Sequence, residues 1–139
     1  MRFALSIALG FGLLTTSVHA ADEAEKLITE IIKAFDDLEG QLKKIENAET
    51  ATKALPEIKK MILKVDDLRA KSDKLKIDPK DEDALLKKYQ EKLFEAGSKI
   101  GKQVSRVSSM EGTKEAVEIV LKMAEKMGLP LEKTPEKKK

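Results

Sequence analysis

The residues of this chain best placed to do chemistry are the carboxylates of "DPKDED" at 78–83. Asp78, Asp81, Glu82 and Asp83 lie close enough together to suggest a calcium site, because hard cations are held by several oxygens at once. An EF-hand loop, however, alternates Asp or Asn ligands and turns on a glycine, and this segment has neither feature. Helix capping accounts for the same residues: Asp78 as N-cap, Pro79 at the first helical position, and Asp81, Glu82 and Asp83 on the positive end of the helix dipole. Asp36-Asp37 and Asp66-Asp67 are the other carboxylate pairs. Each sits beside apolar positions, and with lysines nearby, such as Lys71 four residues after Asp67, they read as solvated flanks.

Ser105, Ser108 and Ser109 have no base to activate them and suit a helix end. The chain contains no cysteine or tryptophan, and its single histidine is His19. If residues 1–20 are removed, no imidazole or thiolate remains for metal ligation, nucleophile activation or acid-base catalysis. The expectation is a non-enzyme with no catalytic, cofactor-binding or metal-binding residue and no cofactor. Tyr89, Phe35 and Phe94 are the aromatics of 21–139, and all three fit a core face or its edge. No stacking platform for nucleic acid is therefore expected. Met110, Met123 and Met127 read as gap-fillers in the core.

The opening "MRFALSIALGFGLLTTSVHA" has the form of a secretory signal peptide. Arg2 is its positive start, 3–14 its apolar run, and Val18-His19-Ala20 a small-residue cleavage site. The run is shorter than the ~20 residues that cross a bilayer, so no membrane span is expected after cleavage at Ala20. The expected location is the periplasm or the cell exterior. Losing Arg2 from 27 basic residues leaves 26 against 25 acidic ones, a net charge of +1. Such a balance does not draw the chain to nucleic acid or an anionic membrane. With no disulfide available, stability rests on an apolar core.

Four helices organise that core. Ala24, Ile28, Ile31, Phe35, Leu38, Leu42 and Ile45 recur every three or four positions, a seam that predicts a helix over 22–46 ending at Asn47. Ala51, Leu55, Ile58, Ile62, Val65, Leu68 and Leu75 predict a second over 49–76, which Pro56 either kinks or starts. Leu86, Tyr89, Leu93, Gly97, Ile100, Val104 and Val107 predict a third, running from Asp78 to Ser108. Val117, Val120, Leu121, Ala124 and Met127 predict a short fourth over 113–127, stopped by Gly128. No segment alternates with period two.

The expected architecture is all-α: an up-down-up three-helix bundle with a short fourth helix packed at one end. Residues 1–20 form the signal, 21–129 the domain, and 130–139 a disordered lysine-rich tail. Gly97 and Gly101, one turn apart, each cost a helix about 1 kcal/mol relative to Ala. Close approach of the fourth helix is the expected return, with Gly40, Ala51, Ala54, Gly97 and Gly101 collecting at one level.

The alanine-rich segment, Leu-Pro and Lys-rich helix of 48–75, followed by "LLKKYQEKLFEAGSKIGKQVSRV", resembles small exported proteins of environmental bacteria. The resemblance implies an envelope or secreted location and carries no active site. The leading expectation for function is a periplasmic or secreted bundle acting by contact with another envelope or secreted protein. The alternative is a carrier or chaperone that binds apolar ligands or unfolded clients.

Overall fold

The computed structural model describes residues 17–129, which form four helices and, among the described residues, no strand. They are α1 (Ser17–Lys43), α2 (Ala48–Ser72), α3 (Pro79–Ser108) and α4 (Lys114–Met127). Both the expected tail, 130–139, and most of the expected signal lie outside the described residues.

α1 begins earlier and ends earlier than its apolar seam suggests. Asp22, Glu23 and Glu25 consequently lie beyond its first turn, where the dipole favours them less. Asn47 does not close α1. It is the N-cap of α2, with its side chain accepting from the Thr50 backbone N–H (3.0 Å) while its own N–H donates to Thr50 Oγ1 (3.0 Å). This reciprocal box satisfies two donors that a helix start leaves open, which is why α2 begins at Ala48. α2 then runs unbroken through Pro56, so the proline neither starts nor divides it. α3 starts as its sequence predicts, Asp78 Oδ1 accepting from Lys80 N (2.9 Å) with Pro79 following. α4 stops at Gly128, whose φ of 63° is left-handed and whose N–H reaches back to the Glu125 carbonyl.

α1 packs against α2 and α3, and α4 packs against the same two helices from the other side. Among the described residues α2 and α3 make no close approach, nor do α1 and α4. Around the core the order is therefore α1, α2, α4, α3. Phe35, Leu38, Leu42, Ile45, Ile58, Ile100, Val107 and Val120 are wholly buried and form its centre. A second, smaller cluster of Ala24, Leu85 and Tyr89, with Ile28, Leu75 and Ile77 against it, lies towards the α1 and α3 starts.

Of the small residues expected at one level, Ala51, Ala54 and Gly97 are buried. Gly40 has open space where a Cβ would be, and α2, carrying Ala51 and Ala54, stays away from α3. Gly97 is nonetheless buried against a close neighbour: a Cβ there would lie 3.3 Å from Leu129 Cδ2. The residue that uses the room is one that follows α4, because the chain turns at Gly128 and lays Leu129 across α3.

Candidate functional site

Two arginines hold helix ends across the bundle. Arg106 of α3 donates from Nη1 to the Ile45 carbonyl (2.8 Å), just past α1, and from Nη2 to the Leu42 carbonyl (2.8 Å), which also accepts the Ile45 N–H (3.1 Å). Arg69 of α2 donates in the same way to the Lys126 carbonyl near the end of α4. Thr113, only 2% exposed, turns its hydroxyl to the Val107 (2.7 Å) and Met110 (2.9 Å) carbonyls and seals the α3–α4 turn. Among the described residues no buried side-chain nitrogen or oxygen lacks a partner.

The opposite end is less complete. α4 has 14 residues where α2 has 25 and α3 has 30. Past Gly128 no described residue beyond Leu129 continues the fourth helix beside the three longer ones, and a cleft of about 280 Å³ opens there among the described residues. Phe35, wholly buried, lies at its deep side with Ile31, while Ala24 and Ile28 of α1 and Leu85, Leu86 and Leu93 of α3 line its walls. Met127, Gly128 and Leu129 border it where α4 stops.

Charged groups line it too: Arg69, Asp73, Glu82, Glu125 and Lys126. Both cations are already engaged. Arg69 holds the Lys126 carbonyl and has Nε 4.0 Å from Asp73 Oδ2, and Lys126 Nζ stands 3.5 Å from Asp66 Oδ2. Glu82 and Glu125 add two carboxylates to its wall.

Comparisons with protein-family models, curated proteins and solved structures found no match. The cleft is therefore read from its own chemistry, an apolar hollow with a few polar groups, which is the usual make-up of a small-molecule site.

The carboxylates singled out in the sequence scatter. Asp78 caps α3, Asp83 pairs with Lys87 (2.8 Å), Asp67 pairs with Lys71 (2.8 Å), and Asp36 and Asp37 are exposed. Glu82 alone of the acidic cluster reaches the cleft. Among the described residues no group of three or more His, Cys, Asp or Glu side chains is placed to hold a metal ion. Ser108 and Ser109 donate to the Ser105 and Arg106 carbonyls, as residues closing a helix do. Phe94 departs from the expected core face or edge: it is 57% exposed, since Leu93 before it and Gly97 one turn on take the inward positions.

Sequence reasoning missed a polar cluster at the α1–α3 contact. Glu25 Oε1 accepts from both Lys88 Nζ (2.6 Å) and the Tyr89 hydroxyl (2.6 Å), and the Lys88 and Lys92 ammoniums stand 5.4 and 5.7 Å from the Tyr89 ring centre. The Lys88 bond, then that from Tyr89, holds the Glu25 carboxyl below its ordinary value. The cleft itself was also missed, although the mismatch between a short fourth helix and a long third one was a usable signal.

Proposed function

We propose that the protein is an exported, non-enzymatic up-down helical bundle that carries a small apolar guest in the cleft beyond α4. The observation that carries this reading is the cleft itself, lined from α1, α3 and the residues after α4 by aliphatic side chains. Contacts between like ends support the up-down order: Glu25 meets Lys88 and Tyr89, Leu42 and Ile45 meet Arg106, and Lys59 of α2 meets Glu115 of α4 (2.8 Å). Export rests on the signal-like residues 1–20, and no described helix is long and apolar enough to cross a membrane.

The test is titration with an uncharged fluorescent probe of ten carbons, 1-aminonaphthalene. Saturable binding at one site, weakened by Leu86→Glu, is expected. Absence of saturable binding across pH and salt overturns the carrier reading. Mass spectrometry of the protein recovered from the periplasm or medium should show Ala21 as the first residue, and retention of the intact chain in the cytoplasm counts against export.

Contact with another envelope or secreted protein is the second reading, and exposed Phe94 favours it. Recovery of the same single partner by the native protein but not by Phe94→Glu would support that reading, and equal recovery by both would remove Phe94 from it.

A further inference from the structure

We infer that the guest is a single unbranched alkyl chain with an uncharged head, and that Leu129, seated on Gly97, is the stop that sets its length. The inference rests on the carrier reading and adds ligand class and specificity. An apolar cavity of roughly 150 Å³ takes a benzene ring. At about 280 Å³ this cleft has room for on the order of ten carbon atoms, a medium-length chain and not a sterol or a two-chain lipid.

The polar groups choose among heads. An anionic head would need Arg69 or Lys126, yet Arg69 is spent on the Lys126 carbonyl and Asp73, and Lys126 stands beside Asp66. It would also meet the carboxylates of Glu82 and Glu125 in the cleft wall.

Leu129 is placed by backbone chemistry. Its N–H donates to the Ala124 carbonyl (3.0 Å) and that of Gly128 to Glu125 (3.1 Å), the paired bonds of a Schellman stop. The turn sets the Leu129 side chain into the space that Gly97 leaves, 3.3 Å from where a Cβ would stand. Leu129 thus borders the cleft and closes it on the side of the α3–α4 contact.

Affinity should rise about fourfold for each methylene buried until the chain meets this stop, and then level off. The experiment is displacement of 1-aminonaphthalene by 1-alkanols of six to fourteen carbons, using protein expressed from the full sequence and purified as the host leaves it. The native protein should level off at about ten carbons. Leu129→Ala should move that point about two to three carbons longer, and Leu129→Phe, whose larger side chain fills more of the cleft, should move it shorter. Circular dichroism checks that both variants are folded, and their opposite directions guard against a general loss of structure.

An unchanged levelling point in both variants overturns the stop while leaving the carrier reading intact. Failure of the probe and every alkanol to bind the native protein overturns the carrier reading and the stop together. Affinity that climbs without levelling places the chain on an open surface and overturns the stop. Decanoate binding more tightly than decanol overturns the uncharged head.

Discussion

Arg106 joins three elements with one side chain. Its guanidinium reaches the Leu42 and Ile45 carbonyls and takes support from Gln103 Oε1 (2.9 Å). Hydrogen bonds to a charged group contribute about 1.5–3 kcal/mol, so Arg106→Met should lower unfolding free energy by about 2–3 kcal/mol in urea. Arg106→Lys should recover less than half of this, because an ammonium cannot reproduce the planar fork. Glu25 supplies a pH signature. Since its folded pKa lies below the ordinary 4.5, the stability it contributes is present above that value and is lost as pH falls through the lower folded one. Lys88 is held above 10.5 by the same bond, so that contribution is present below 10.5 and fades as pH rises through the higher folded value. Glu25→Gln should flatten the acid limb of a melting-temperature profile; an unaltered limb would show that the cluster adds nothing.

Within α2, Pro56 is exposed and its ring deprives the Thr52 carbonyl of a helical donor. Nothing packs in return on that outer face, so Pro56→Ala should stabilise the protein by about 2 kcal/mol, read as a higher denaturation midpoint. The α3–α4 turn predicts the opposite sign for a similar change. Gly112 has φ 77°, and a Cβ there would fall 2.5 Å from Ala48 Cβ. Gly112→Ala should therefore cost at least about 1–2 kcal/mol from backbone conformation alone, with the clash in addition. Gly97→Ala lies between these cases. The helix gains up to about 1 kcal/mol in propensity, and Leu129, a flexible side chain at a helix end, has only to move by a few tenths of an ångström. A net gain of a few tenths of a kcal/mol is expected, and a large loss would show Leu129 to be rigidly held.

The two ends of the bundle differ in how completely they are packed. Leu42, Ile45, Val107 and Thr113 are buried where α1 and α3 finish, whereas Leu75, Ile77 and Leu86 around the cleft remain partly exposed. Local opening follows the density of buried apolar contact. Amide exchange should therefore be fastest over 79–88 and the last turn of α2, and slowest near Val104 and Val107. An alkanol seated in the cleft should slow exchange over 79–88 and, by stabilising the folded protein against global opening, near Val104 and Val107 as well. Uniform protection along α3 would contradict this division.

Four helices, the cap at Asp78, the stop at Gly128 and nearly every wholly buried side chain were legible in the sequence, because apolar spacing and capping chemistry act over a few neighbouring residues. Asp67 with Lys71 was legible for the same reason, whereas Asp66, half-buried and facing Lys126 of α4 (3.5 Å), was not. Nor was the exposure of Phe94, since it turns on which of two adjacent positions the fold points inward, and Asn47 was read as an end of α1 although its bonds to Thr50 make it the start of α2. Periodicity is equally silent on which helices are neighbours. It places Gly97 and Gly101 on α3, but whether α2 or α4 lies opposite depends on interhelical packing of side chains far apart in sequence. The cleft belongs to that level as well. It exists because α4 ends before its neighbours do, and its lining comes together from residues as distant as Ala24, Leu86 and Leu129 only after the helices have packed.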